Sequence, residues 1–181
     1  KYNPSGTIDF IYPTVGSHLG GDVVTIVGNH LGNVVDIHHV SLDTIPSSIH
    51  FQNDTHVIVS SGPSVFGSGV GDVEVQSTSH GSTIQSNAFT YTCDTGYYGL
   101  SCIACPGGGS TPCTLHGNCS DGVSGTGKCS CEVGYVGVGC QFLCPGGVSL
   151  ICSLHGECHS DGNTKSVCDC LAGYYGMSCS E

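Results

Sequence analysis

Hydrophobic and polar residues alternate in short runs through the first half of the chain, and no run has helical spacing. The runs are rich in β-branched and aromatic residues, and Gly, Pro, Asn and Asp separate them at intervals of about ten residues. This pattern predicts a small all-β sandwich. The predicted strands cover residues 7–12, 23–27, 36–42, 56–60, 72–76 and 88–92.

Cysteine divides the chain into two different halves. All fourteen cysteines lie between Cys93 and Cys179. A cysteine-free half must be stabilised by a hydrophobic core, whereas a short cysteine-rich region is stabilised by cross-links. An even number of cysteines at regular spacing predicts an oxidising compartment, so we expect the protein to be extracellular, either secreted or at the cell surface.

The cysteine-rich half contains an internal repeat. Residues 105–140 and 144–179 superpose cysteine on cysteine with a period of 39 residues. In each copy, 7, 5, 9, 1 and 8 residues separate six cysteines, and the copy ends in Cys-x-Cys-x-x-Gly-Tyr-x-Gly-x-x-Cys. Six cysteines can pair in many ways, and spacing alone does not choose among them.

This spacing closely resembles the epidermal-growth-factor-like (EGF-like) module in both repeats. The resemblance implies that the first cysteine pairs with the third, the second with the fourth and the fifth with the sixth. A third copy of the closing motif, CDTGYYGLSC at 93–102, has no upstream half and is similar to the last loop of such a module. The implied pairs are Cys93 with Cys102, Cys105 with Cys119, Cys113 with Cys129, Cys131 with Cys140, Cys144 with Cys158, Cys152 with Cys168, and Cys170 with Cys179.

The first half carries a second resemblance. The stretch IYPTVGSHLGGDVVTIVGNHLG, with Pro13, Gly16 and the pair Gly20 and Gly21, resembles the IPT/TIG domain, whose fold is an immunoglobulin-like sandwich. The predicted organisation is therefore an all-β chain of five parts: a leader at 1–6, an IPT/TIG sandwich at 7–92, an EGF-like half-module at 93–104, and EGF-like modules at 105–143 and 144–181.

Charge excludes two classes of partner. The chain has three Lys and Arg residues against fourteen Asp and Glu residues. Nucleic acid and anionic membranes both require clustered basic side chains, so we expect neither as a partner, and a DNA-binding role like that of some TIG proteins is excluded with them. The chain has no apolar run of eighteen residues, so direct membrane insertion is not expected either.

Neither a cofactor nor enzymatic activity is expected. Calcium-binding EGF-like modules carry a run of Asp, Asn, Glu or Gln just before the first cysteine, whereas residues 101–104 before Cys105 and 139–143 before Cys144 include no carboxylate. Neighbouring His38 and His39 would point to opposite faces of a strand, so they do not form a metal site with His50 or His56. No nucleophile motif with its strand and helix context is present.

Two sequons and one segment are candidate sites of modification and binding. Asn53 and Asn118 begin Asn-x-Ser/Thr sequons, so we expect N-linked glycans on both, whereas Pro4 prevents use of Asn3. The leader has no strand of its own, so we expect Tyr2 and Pro4 to contact a partner, at an edge strand of the sandwich.

These features favour a non-enzymatic structural role outside the cell. The first hypothesis is a self-assembling subunit of a glycosylated fibre, appendage or surface coat. The alternative is an ectodomain segment of an adhesion or signalling receptor that binds another extracellular protein.

Overall fold

The first half of the chain is a sandwich of nine β-strands in a computed structural model that describes residues 5–162 and 164–181. The strands are β1 (Thr7–Tyr12), β2 (Val15–Ser17), β3 (Val23–Asn29), β4 (Ile37–Leu42), β5 (Ile45–Pro46), β6 (Ser48–Gln52), β7 (His56–Ser60), β8 (Gly69–Ser77) and β9 (Gly81–Thr92). The structure confirms the predicted all-β fold class.

The nine strands form two sheets. The four-stranded sheet has the order β1-β3-β7-β6, and the five-stranded sheet has the order β2-β9-β8-β4-β5. Neighbouring strands are antiparallel except for β2 and β9. The chain therefore leaves one sheet after β1 and joins the other at β2.

The core lies between the inward faces of these sheets. Burial alternates along β3, where Val24 and Ile26 are fully buried while their neighbours are not. Phe89 and Tyr91 on β9 are the two largest fully buried side chains. Burial raises the pKa of Tyr91 to about 12, with help from the nearby carboxylates of Asp43 and Asp22. Its phenol donates a hydrogen bond to the carbonyl of Gly62 at 3.0 Å.

The structure extends the predicted set of strands. All six predicted strands are present, but β2, β5 and β6 were not predicted. The last predicted strand, 88–92, is the end of β9, which begins at Gly81 and forms a hairpin with β8. Opposite Asp72, a register shift interrupts this hairpin and Asn87 takes a positive φ of 52°.

The chain forms two compact units. One comprises the described residues up to Asp94 together with Leu100–Cys102, and the other comprises Thr95–Gly99 and Ile103–Glu181. Eight short strands of the second unit pair as four antiparallel hairpins. They are β10 (Tyr97–Tyr98) with β11 (Ile103–Ala104), β12 (Gly117–Cys119) with β13 (Cys129–Cys131), β14 (Tyr135–Val136) with β15 (Phe142–Leu143), and β16 (Gly156–Ser160) with β17 (Ser166–Cys170).

All fourteen cysteines form disulfides in the structure. The bonds join Cys93 to Cys102, Cys105 to Cys119, Cys113 to Cys129, Cys131 to Cys140, Cys144 to Cys158, Cys152 to Cys168 and Cys170 to Cys179. These are the pairs that the EGF-like resemblance implies.

The repeats share local conformation as well as cysteine spacing. The last cysteine of each closing motif has a positive φ, at 48° for Cys102, 57° for Cys140 and 56° for Cys179. In both full repeats a histidine ring stacks on the tyrosine of the closing motif. The ring centroids are 3.8 Å apart for His116 and Tyr135 and 3.7 Å apart for His155 and Tyr174. The recurrent histidines therefore pack within each repeat.

Within residues 5–162 and 164–181, no helix is long and apolar enough to span a membrane.

Candidate interaction surface

The predicted site residues lie in separate parts of the molecule. Tyr2 and Pro4, the predicted partner contacts, lie outside the described residues. Asn53 lies in the turn between β6 and β7, and its side-chain oxygen accepts hydrogen bonds from the backbone N–H groups of Thr55 at 2.9 Å and His56 at 2.7 Å. Asn118 is exposed on β12, opposite Ser130. Glycosylation of both stays a prediction.

Three of the four histidines considered as metal ligands in the sequence contact different partners. His38 is exposed and approaches the backbone oxygen of Asp36. His50 bonds the hydroxyl of Ser60 at 2.6 Å, and His56 bonds the hydroxyl of Thr55 at 2.9 Å.

The outward side of the four-stranded sheet is the clearest surface feature of the sandwich. We call it the outer face. Antiparallel sheets that face water usually present polar residues on that side. Here the central outward positions are mostly aromatic and β-branched, and polar residues such as Ser48, His56 and Ser60 lie on the same side. The aromatic and β-branched positions are Phe10 and Tyr12 on β1, Val23, Thr25 and Val27 on β3, Ile58 on β7 and Phe51 on β6.

Strand register places these side chains side by side. Phe10 is opposite Val27, and Tyr12 is opposite Thr25. Thr25 is in turn opposite Ile58, which is opposite Phe51 on the next strand. An apolar row therefore crosses the whole sheet, interrupted only by the Thr25 hydroxyl.

The largest of these side chains are open to solvent. Phe10 is 58% exposed, Tyr12 is 67% exposed, Val23 is 59% exposed and Phe51 is 48% exposed. The rings of Phe10 and Tyr12 are nearly parallel, at 5°, with centroids 6.4 Å apart. Contiguous exposed apolar patches of this kind mark protein interaction sites, whereas singly scattered apolar residues do not.

The outer face carries almost no charge. Asp9 is the only Asp, Glu, Lys or Arg residue in β1, β3, β6 and β7. It lies where the register between β1 and β3 shifts, and its carboxylate accepts a hydrogen bond from the side-chain amide of Asn29 at 2.7 Å. A partner that covers this face need not neutralise a cluster of charges.

An open groove lies beside the outer face, between β1 and β9. β1 is an edge strand of its sheet, and β9 pairs with β2 only along Thr90–Thr92. The groove has a volume of about 460 Å³, and its lining includes Ile8, Ile11, Gln85 and Asn87. Edge strands present unpaired N–H and C=O groups that an extended segment can complete.

Two apolar runs in the sequence are a signal for the outer face. The runs VVTIV at 23–27 and VIV at 57–59 are apolar at consecutive positions rather than alternating ones. Continuous apolar runs are typical of strands that are covered on both faces. In this sheet, the sandwich core covers only one of the two faces.

Comparison with known proteins identifies one domain family and several partial relatives. The IPT/TIG domain model matches residues 7–92. Mouse Stabilin-1 is 48% identical over 50 residues, which are 28% of this chain and 2% of Stabilin-1. A bovine protein named protein disulfide isomerase CRELD2 is 46% identical over 51 residues, which are 27% of this chain and 14% of that protein. The chain thus spans only a small part of these relatives.

A structure of the plexin A4 extracellular region aligns with 48% of this chain and 10% of its own length, at 21% identity and a TM-score of 0.42. The Stabilin and CRELD relatives carry EGF-like modules. Seven disulfides and these relatives indicate an extracellular or cell-surface location. Residues 7–92 are therefore an IPT/TIG domain, an immunoglobulin-like sandwich followed by a disulfide-rich region related to proteins with EGF-like modules.

Proposed function

We propose that this chain is a non-enzymatic extracellular association module that binds a second copy of itself through the outer face. The observation that carries the proposal is the largely apolar row that runs from Tyr12 through Thr25 and Ile58 to Phe51 on a solvent-facing sheet, with Phe10 beside Tyr12. Covering it would remove several large side chains from water, at about 25 cal/mol for each Å² of apolar surface.

The charge distribution favours a second copy as the occupant. The whole chain has a net charge of −11, so two copies repel each other wherever their acidic regions meet. The outer face has Asp9 as its one charged strand residue, and two such faces can meet with little local repulsion. Two sheets that pack face to face also have a well-known geometry, with strands nearly aligned and the sheets about 10 Å apart.

A contact between two identical faces joins two copies and then closes. Growth into a fibre, the first hypothesis from the sequence, requires a second contact. The groove between β1 and β9 offers one, because an extended segment such as the leader with Tyr2 and Pro4 could pair with an edge strand there. Self-assembly into a fibre would therefore use both contacts, the outer face and the groove.

The alternative is a receptor or adhesion segment whose outer face binds a different extracellular protein. The small share of Stabilin-1 and CRELD2 that the chain covers is compatible with a segment of this kind. CRELD2 is named as a protein disulfide isomerase, and we do not extend that activity to this chain. Thiol–disulfide exchange needs an attacking thiolate, and each of the fourteen cysteines here is already bonded.

Sedimentation velocity of the full chain over a series of concentrations and salt concentrations tests the proposal. We expect reversible association that strengthens when sodium chloride rises from about 0.05 M to about 0.5 M, because the Debye length falls from about 14 Å to about 4 Å and repulsion between acidic copies is screened. The runs include a chelator so that metal ions do not bridge copies.

Two outcomes contradict this expectation in different ways. If the chain stays monomeric at every protein and salt concentration, a second copy does not cover the outer face, and the receptor alternative is left. Association that weakens as salt rises indicates a contact between opposite charges, which the outer face does not provide.

A further inference from the structure

Three turns of the sandwich bring two histidines and an aspartate together. His30 follows β3, Asp54 lies between β6 and β7, and His80 lies between β8 and β9. Nδ1 of His30 is 3.7 Å and Nε2 of His80 is 4.0 Å from Oδ1 of Asp54. We infer that these three residues form a binding site for a zinc ion.

The ligand atoms of this site favour zinc over calcium and magnesium. Two imidazole nitrogens and one carboxylate oxygen suit Zn²⁺ and neighbouring transition metals, whereas Ca²⁺ and Mg²⁺ require sets of oxygen ligands. Three protein ligands leave a fourth position for water. The strongly acidic chain also raises the local concentration of cations.

The donor atoms already lie near the separations that a zinc site requires. Tetrahedral ligands at about 2.0–2.1 Å from Zn²⁺ lie about 3.3 Å from one another. The candidate atoms of His30, Asp54 and His80 all lie within 4.8 Å of one another. The two imidazole rings are stacked, with centroids 5.3 Å apart and an angle of 27° between their planes, so each ring must rotate to direct a nitrogen lone pair, which lies in the ring plane, at the ion.

Backbone hydrogen bonds hold the first two turns together. The N–H of Gly28 donates to the carbonyl of Thr55 at 2.9 Å, and the N–H of Leu31 donates to the carbonyl of Asp54 at 3.0 Å. These bonds flank His30, whose φ is 53°. His30 and Asp54 are thus held beside each other by the fold rather than by their own side chains.

Asp36 holds the third turn. Its backbone carbonyl accepts from the N–H of Thr78 at 3.1 Å, and its carboxylate accepts from the N–H of Ser79 at 3.2 Å. Hydrogen bonding from the Ser79 side chain holds the pKa of Asp36 below its ordinary value, with further bonds from Asn33. The carboxylate that fixes this turn is therefore ionised at neutral pH.

Exposure differs among the three ligands in a way that suits ion binding. The side chain of His80 is 12% exposed, whereas His30 is 46% exposed and Asp54 is 50% exposed. One ligand is anchored against the protein, and the other two border solvent, from which an ion enters. The inference rests on the sandwich alone and does not depend on self-association.

Calorimetric titration of ZnCl₂ into the full chain at low micromolar concentration tests the site. We expect one tight site per chain, and thermal melting should show that Zn²⁺ stabilises the sandwich by binding its native state. The variants His80→Ala, His30→Ala and Asp54→Asn should each bind Zn²⁺ at least about tenfold more weakly, since even loss of an outer-shell partner costs about 10–100-fold.

The matched control is His50→Ala, which removes an exposed histidine of the same domain that bonds Ser60 rather than the turns of the site, and it should leave the affinity unchanged. Asp54→Asn keeps the Asn53 sequon and covers the case in which His80→Ala fails to fold. Ca²⁺ should give no saturable heat. Absence of a saturable Zn²⁺ site in the wild-type chain overturns the inference, and so does an equal loss of affinity in His50→Ala and Asp54→Asn.

Discussion

Replacing both Phe10 and Tyr12 with aspartate should weaken self-association at least about 100-fold while the sandwich stays folded. Both side chains project from the outer face and are more than half exposed, so neither contributes to the core between the sheets. Aromatic residues at the centre of an interface often contribute about 2 kcal/mol or more each, and two carboxylates would add repulsion between like faces. Sedimentation of the double variant measures the loss.

The control for this experiment makes the same chemical change on the other sheet. Val15 is 50% exposed and Val70 is 56% exposed, and both lie on strands of the five-stranded sheet. The variant with aspartate at both positions should associate like the wild-type chain, apart from a small repulsive effect of the added charge. If the two double variants lose association equally, net charge controls assembly and our assignment of the outer face is wrong.

The largest effect on stability should come from Phe89→Ala. Phe89 is fully buried, and its ring meets that of Tyr91 edge to face, with centroids 5.1 Å apart and an angle of 77° between the planes. Removing a buried phenylalanine side chain costs about 3–5 kcal/mol, because its apolar surface returns to water on unfolding and a cavity remains in the native state. Domains are stable by only about 5–15 kcal/mol.

Urea denaturation followed by circular dichroism would measure this loss. Phe66→Ala is the matched control, because Phe66 lies in the same sandwich and is 69% exposed. It should change the free energy of unfolding by less than about 0.5 kcal/mol. Equal destabilisation by the two variants would mean that Phe89 does not lie in the core that the structure describes.

The local sequence pattern was sufficient to predict the central strands of the four-stranded sheet. β3 and β7 combine β-branched residues with clear turn residues on either side, so their positions follow from sequence alone. β2 has three residues, and its parallel pairing with β9 depends on where the chain crosses between sheets. No local signal specifies such a crossing.

Irregular strand pairing explains why the sequence pattern did not predict β6 or the first half of β9. A register shift between Ile49 and Phe51 breaks the alternation of inward and outward residues in β6, so its sequence pattern does not predict a strand. The first half of β9 is mostly polar, and it becomes a strand because it forms a hairpin with the buried residues of β8. Tertiary contact overrides weak local preference in both cases.

The candidate sites differ in how much of them a sequence can reveal. Phe10 and Tyr12 of the outer face lie in a predicted strand, whereas Phe51 lies in β6, which the pattern does not predict, and the exposure of all three depends on which face the sandwich covers. His30, Asp54 and His80 lie 24 and 26 residues apart in three separate turns, so no short motif contains them. Only the antiparallel topology brings those turns to the same end of the sandwich.

Hydroxyl-radical footprinting of the full chain at low and high concentration tests the central claim most directly. Phe10, Tyr12 and Phe51 should become less reactive as the chain associates. Tyr175, which is 65% exposed, and Met177, which is 90% exposed, lie in the disulfide-rich region and should keep their reactivity. Protection of Tyr175 and Met177, with Phe10, Tyr12 and Phe51 unchanged, would place the contact on the disulfide-rich region and contradict the account.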